Sequence, residues 1–213
     1  MSSALDLVRA CKRLAAMGLM PGTTGNLSIR TATGMLVTPS GMTWDLMEPS
    51  DLIELSLDGE RRRGMRTPTS EWRLHGGLYQ AREELEAIVH THSRFATVIS
   101  CYREPIPAVH YMIALTGGSK VPCARYETYG TAELAVACVE SLGKGKATLL
   151  ANHGQVAAST TLEDAVKVAI EVENLAFTWW HAKSAGTPVI LDDAEIARVE
   201  KQFQSYGQGK KRS

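Results

Sequence analysis

The feature that most constrains this chain is residues 87–93, AIVHTHS. A short apolar run, Ala87-Ile88-Val89, delivers two histidines one residue apart, His90 and His92. In a β-strand, side chains at i and i+2 lie on the same face. Both imidazoles therefore point to one side of a strand end, as metal ligands must, although ordinary polar residues at a strand end also give this pattern. Two residues elsewhere sharpen the choice. His153 follows a second apolar strand and precedes a glycine, in ATLLANHG at 147–154, and Glu71 opens a helix in TSEWRLH at 69–75. The rest of the chain reads as scaffolding that brings Glu71, His90, His92 and His153 together beside a substrate.

A chain of 213 residues suits one domain with a sizeable core, or at most two small ones. Lys plus Arg and Asp plus Glu each number 23, so no net field draws the chain to nucleic acid or an acidic membrane. The basic Lys210-Lys211-Arg212 lies in a Gly/Gln/Ser tail and reads as solvated. The expected division is therefore one domain over 1–206 and a flexible tail over 207–213. The four cysteines form no Cys-x-x-Cys pair and read as small core residues of a reducing compartment. Charged residues within the first apolar pattern (Asp6, Arg9, Lys12, Arg13) argue against a signal peptide, and no apolar run reaches transmembrane length. The expected location is the cytoplasm.

Along the chain, residues 3–18 predict an amphipathic helix capped by Ser2 or Ser3 and ended by Gly18. Residues 21–26 (PGTTGN) form a loop into an alternating strand at 27–30, and a second strand at 35–38 breaks at Pro39-Ser40-Gly41. Glycines let backbone N–H groups approach an anion, and Thr, Ser and Asn add donors, so the two loops suit a phosphate or are two plain turns. Neither matches a nucleotide-binding pattern. Residues 52–57 predict a strand turning at Asp58-Gly59 into a hairpin whose Arg61-Arg62-Arg63 forms a solvated edge. Thr69 or Ser70 is the expected cap of the next helix, with Glu71 in its first turn and His75 a packed, structural histidine. Helices are expected at 94–101, 132–142, 161–185 and 194–206, and strands at 147–151 and 155–158. Irregular βαβ spacing argues against a Rossmann fold. The expected architecture is a single-domain α/β layered fold with a mainly antiparallel or mixed central sheet.

Three imidazoles and one carboxylate make a donor set suited to Zn²⁺, and a carboxylate that steps aside leaves room for substrate. Here the sequence resembles the class II aldolases of the aldolase/adducin superfamily, closely the branch that cleaves L-fuculose 1-phosphate. The motifs that carry the resemblance run in order along nearly the whole chain: GTTGNLSIR at 22–30, TPSG at 38–41, TSEWRLH at 69–75, HTHS at 90–93, VHYMIA at 109–114, YETYGT at 126–131 and ATLLANHG at 147–154.

The resemblance implies a nine-stranded, antiparallel-centred sheet with helices on both faces, and a C₄ homotetramer with active sites between subunits. It implies one Zn²⁺ per subunit on His90, His92 and His153, with Glu71 as fourth ligand and as acid/base when substrate displaces it. Thr23, Gly25, Asn26, Ser40, Gly41, Thr69 and Ser70 would hold the phosphate of a ketose 1-phosphate. Tyr111 from a neighbouring subunit would exchange the proton of the C4 oxygen, and Tyr129 and Tyr206 would line the aldehyde end. Cleavage between C3 and C4 leaves an enediolate that a metal stabilises as a Lewis acid, so no Schiff-base lysine is needed. Glu71 is the aldolase form of a position where the related 4-epimerases of ribulose 5-phosphate carry aspartate. HTHSRFAT at 90–97 also resembles the epimerase and dehydratase branches. The competing readings on the same site are therefore a sugar-phosphate 4-epimerase, a methylthioribulose-1-phosphate dehydratase or an oxo-acid phosphate decarboxylase. An adducin-like interaction module is disfavoured because all four ligands are present.

Overall fold

The structure is a computed structural model that describes residues 2–205, with side chains through residue 203. Tyr206 and residues 207–213 lie outside the described residues. Helix α1 (Ala4–Ala16) starts in a capping box: Ser3 accepts from the Asp6 N–H while Asp6 accepts from the Ser3 N–H. Strands β1 (Asn26–Thr31), β2 (Gly34–Val37), β3 (Ile53–Leu55) and β4 (Arg61–Arg63) form a meander, with β4 an exposed edge. Then follow α2 (Trp72–Ala81), β5 (Ala87–Thr91), α3 (Arg94–Ser100), β6 (Ile106–Pro107), a 3₁₀ turn at Tyr111–Thr116, β7 (Lys120–Val121) and β8 (Cys123–Ala124). The chain closes with α4 (Ala132–Leu142), β9 (Ala147–Leu150), β10 (Gly154–Ser159), α5 (Leu162–Ala185) and α6 (Asp193–Ser205).

The main sheet has eight strands in the order β4-β3-β2-β1-β5-β10-β9-β8, antiparallel throughout except where β8 runs parallel to β9. β6 and β7 pair as a separate two-stranded piece. This corrects the nine-stranded expectation. Strands β6, β7 and β8, which the sequence pattern does not mark, are two residues long each, too short to show a period of two. The expected α/β layering with helices on both faces is present. Leu27, Ile29, Ala87, Val89, Leu149 and Ala157 pack toward α1 and α5, while Ile88, Leu150, Val156 and Ala158 pack toward α2 and α4. A central strand buried on both faces reads as a continuous apolar run, and this is why Ala87-Ile88-Val89 shows no alternation.

The face a residue takes is fixed by its parity in the strand. His90 shares parity with Ile88 and so lies on the α2 side. Asn26 of β1 pairs directly with His90, and Ser28 with Ile88, placing both on that side too. The expected helix start needs correction. Glu71 is itself the cap position of α2, with φ −97° and ψ 18°, and it makes no side-chain cap. Thr69 instead accepts from the Glu71 N–H at 3.3 Å through Oγ1. The Glu71 carboxylate is thereby released from helix duty and turned toward the sheet. Ser93 stands at the cap position of α3, yet its hydroxyl accepts from Gln155 Nε2 at 2.9 Å rather than capping the helix.

Candidate metal centre and active-site pocket

The ends of β1 and β5, the start of β10 and the N-terminus of α2 meet at one point. There Glu71, His90, His92 and His153 bring one ligand atom each to within 4.8 Å of one another. The three imidazoles stand edge to face, with ring centroids 4.7 to 4.8 Å apart. His153 sits in the tight turn between β9 and β10, held by its N–H to Leu150 O at 3.0 Å. Gly154 follows it with no room for a side chain: a Cβ there would lie 2.4 Å from Thr91 O.

The electrostatics call for a cation. His90 Nδ1 is 2.9 Å from Gln155 O, and a carbonyl only accepts, so Nδ1 carries the hydrogen. Unprotonated, as a metal ligand must be, His90 presents a bare lone pair at Nε2. That atom faces Glu71 Oε2 at 3.0 Å and His92 Nε2 at 2.9 Å. Glu71 Oε1 is buried without a hydrogen bond and lies 3.5 Å from His153 Nε2. Converging lone pairs with an orphaned carboxylate oxygen are stable only around positive charge. A four-coordinate ion with ligands at about 2.0–2.1 Å spaces those ligands about 3.3 Å apart, close to the separations here. The residues therefore fit a divalent metal.

Without a metal, a proton on His90 supplies the positive charge instead. Burial alone would raise the Glu71 carboxyl, but His90, His153 and the amide of Asn26 hold it well below the usual carboxylate range. Burial pulls His90 down, and the facing Glu71 charge more than reverses this, so His90 ends raised. His92 and His153 are pushed down, to about 3 and about 4, first by burial and then by the His90 charge. Both stay unprotonated and available as ligands far into the acid range.

A cavity of about 350 Å³ opens onto this cluster. Thr23, Gly25, Asn26, Ser40, Gly41, Thr69, Ser70 and Tyr129 all line it, beside Glu71, His92 and His153, while His90 lies buried behind them. Gly25 and Gly41 turn at φ +83° and +66°, conformations that favour glycine. The Asn26 side chain is committed elsewhere: Nδ2 donates to Glu71 Oε2 at 2.8 Å and Oδ1 lies 2.6 Å from His75 Nε2. His75 is fully buried and is no part of the ligand cluster, as a structural histidine should be. Tyr111 does not line this cavity; it is 46% exposed on the 3₁₀ turn, its ring 4.6 Å from that of His110. Thr24, in the loop expected to suit a phosphate, lines the cavity too, while sequence reasoning missed Tyr126, Glu127 and Asn152 in the lining. Asn152 has φ +54° and accepts from Arg103 Nε at 2.8 Å. Its signal was an asparagine, tolerant of left-handed backbone, directly before His-Gly. A larger cleft of about 670 Å³ opens at the opposite ends of β1, β5 and β10 around Arg30, Glu86 and Thr160. Among the described residues the only cluster of metal-ligating groups is the one at the smaller cavity.

Residues 5–180 match the model of the class II aldolase and adducin N-terminal domain family. A Rhodospirillum rubrum protein named 5-methylthioribulose-1-phosphate/5-deoxyribulose-1-phosphate aldolase is 42% identical over 201 residues, covering 94% of this chain and 90% of that one. The L-fuculose phosphate aldolase of Escherichia coli K12 is 40% identical over 205 residues, covering 96% and 95%. A solved L-fuculose 1-phosphate aldolase superposes with a TM-score of 0.92 at 40% identity, covering 96% of this chain and 98% of its own. With the Glu71–histidine cluster, the cavity beside it and relatives aligned end to end, the chain belongs to the class II aldolase and adducin family, as one of its metal-dependent aldehyde-lyase enzymes.

Proposed function

We propose that this enzyme reversibly cleaves a ketose 1-phosphate, such as L-fuculose 1-phosphate or a 5-deoxypentulose 1-phosphate, into glycerone phosphate and an aldehyde. The observation that carries this reading is the placement of two Gly/Ser/Thr loops and the Glu71–His cluster around one cavity. The loops suit a phosphate, and the cluster suits a carbon acid a few ångströms away. Thr23, Gly25, Ser40, Gly41, Thr69 and Ser70 grip the phosphate as a handle, using binding energy away from the reacting centre to orient it. Asn26 stands between this rim and Glu71. His90, His92 and His153, with Glu71 as a displaceable fourth ligand, hold one divalent ion, taken to be Zn²⁺ from the nitrogen-rich donor set. Bound there, the ion supplies Lewis-acid stabilisation of the charge that develops on the substrate's carbonyl oxygen.

Glu71 acts as the acid/base at C3, returning a proton to that carbon after cleavage. Tyr111 of the partner subunit takes the C4 hydroxyl proton in a homotetramer with shared sites. Its 46% exposure on the 3₁₀ turn leaves it open to a neighbouring subunit. Tyr129 stands 67% exposed at the rim, suited to the aldehyde end. No helix among the described residues is long and apolar enough to cross a membrane, and all four cysteines are free; both fit a cytoplasmic enzyme.

The test is a panel of L-fuculose 1-phosphate, 5-methylthioribulose 1-phosphate, 5-deoxyribulose 1-phosphate and L-ribulose 5-phosphate. Released glycerone phosphate is followed by a coupled dehydrogenase. Release from a ketose 1-phosphate is expected, lost on chelation and restored by Zn²⁺. Conversion of ribulose 5-phosphate to its 4-epimer with no release from any 1-phosphate would replace this reading with the epimerase one. Loss of water without carbon–carbon cleavage would replace it with the dehydratase one.

A further inference from the structure

Ser28, His75 and Tyr79 lie outside the metal cluster and the cavity lining, yet all three are buried at 0%, 0% and 1% exposure. Buried polar groups are retained only with partners, and here the partners form a single line. Its direction can be fixed from Glu71 outward. An ionised carboxylate only accepts, so the Asn26 group 2.8 Å from Oε2 is the NH₂, and Asn26 Oδ1 faces His75. An amide oxygen also only accepts, so His75 Nε2, 2.6 Å away, carries its hydrogen. The fully buried His75 ring meets only Asn26 Oδ1 and Ser28 Oγ, with no carboxylate against it to support a positive charge, so it is neutral and Nδ1 is a lone pair. Ser28 Oγ, 2.6 Å from Nδ1, must then donate to it. That uses the only hydroxyl hydrogen of Ser28, so the Tyr79 hydroxyl at 2.9 Å must donate to Ser28 Oγ. Every hydrogen in the line points toward Glu71. The sheet register and the α2 turn make the line possible: Asn26 and Ser28 alternate onto the α2 face of β1, and His75 and Tyr79 lie one helical turn apart.

We infer that Tyr79, Ser28, His75 and Asn26 are positioning residues, a one-way chain of donors that fixes Glu71 Oε2 and leaves Oε1 as the oxygen free for proton transfer. The chain deepens the proposed role of Glu71 and rests on it for its consequence in turnover, but its existence is testable without any reaction.

The experiment has two arms. In the first, protein labelled with ¹⁵N-histidine is examined by NMR, metal-free and zinc-loaded, with the His75 signals assigned by their loss in His75→Gln. The expected result is the Nε2–H tautomer with a bare Nδ1. An Nδ1–H tautomer or an imidazolium at neutral pH overturns the inference. In the second, His75→Met, His75→Gln and Tyr79→Phe are compared for exchange of the C3 proton of glycerone phosphate in heavy water. The KM for a cleaved ketose 1-phosphate is measured alongside, with folding checked by thermal melting. His75→Met is expected to lower exchange about 10- to 100-fold. KM should stay within about twofold, and His75→Gln, which keeps an N–H toward Asn26, should recover most of the rate. Should His75→Met not fold, Tyr79→Phe carries the same test with a smaller fall. Equal impairment of the Met and Gln variants, or a rise in KM with unchanged exchange, overturns the inference. If wild-type protein exchanges nothing while His75 holds the Nε2–H tautomer, the aldolase reading fails and the donor chain stands.

Discussion

Gly154→Ala tests whether the metal centre depends on the close approach of β10 to β5. A Cβ at Gly154 would lie 2.4 Å from Thr91 O, 3.3 Å from Thr91 C and 3.2 Å from His92 Cδ2. An unstrained carbon–oxygen contact is about 3.3 Å, so the strands must part by about 0.9 Å. The residues forced apart flank two of the proposed ligands: His153 precedes Gly154, and His92 follows Thr91. Metal–ligand distances tolerate only about 0.2 Å. The expected loss in metal affinity is about 10- to 100-fold, or about 1.4–2.7 kcal/mol. Overpacking adds about 1–3 kcal/mol of destabilisation that persists without metal. Thermal or urea unfolding with and without Zn²⁺ separates the two. At a concentration 100 times the wild-type Kd the metal stabilises wild type by about 2.7 kcal/mol, but a variant 100-fold weaker gains only about 0.4 kcal/mol. If the variant keeps the full metal-linked stabilisation and a Kd within about threefold of wild type, the dependence on strand approach is wrong.

Other outcomes follow from the same structure. Gly76→Ala should destabilise by more than about 1 kcal/mol, because its Cβ would meet Leu57 O at 2.3 Å. Gly77→Ala, one residue on, has ordinary contacts of 3.5 Å or more and should stabilise α2 by up to about 1 kcal/mol; the same sign from both in urea unfolding would refute the packing of α2. Arg30 donates to the carbonyls of Leu85, Tyr79 and Arg82 at 2.7, 2.8 and 3.0 Å, closing the end of α2. Arg30→Ala should cost about 2–3 kcal/mol in urea unfolding, and a loss under about 0.5 kcal/mol would show those bonds replaced by water. The metal-free protein should lose stability as pH falls from about 7 toward 4. His75, His92 and His153 are held down to about 3, 3 and 4 when folded, so the unfolded chain binds more protons below its histidine pKa of about 6.5. His75 alone accounts for about 2 kcal/mol at pH 5. His90, raised in the fold, works the other way and is already in full effect below about 6.5. Stability unchanged between pH 7 and 5 would contradict the buried neutral histidines.

Long elements were legible because their patterns are long. The helices at Ala132–Leu142 and Leu162–Ala185 repeat their apolar faces over several turns, and both start on threonine caps as their sequences announce. The convergence of His90 and His92 on one face was legible because strand parity is a local rule. Less legible was the start of α2, where Thr69 and Ser70 are the caps by residue type and Glu71 reads as a first-turn anion. Tertiary demand chose among them, drawing Glu71 to the cap position and its carboxylate into the sheet. Asn26 reads from its loop as a phosphate donor, and only the register against His90 shows its amide spent on Glu71 and His75. The small strands and the contribution of Asn152 to the cavity arise from contacts distant in sequence, which no local period encodes.

The pairing of Asn26 with His90 has a consequence for how such a chain can diverge. Side chains on a strand alternate, so one residue inserted between Asn26 and Ile29 would turn part of β1 over and carry the amide or the serine to the wrong face. Insertions in the Asp58-Gly59 hairpin, by contrast, end at the exposed edge strand β4 and leave the register of β1 and β5 untouched. Descendants of this sequence are free to vary in length at that rim of the sheet. At its centre they can change residues but not count.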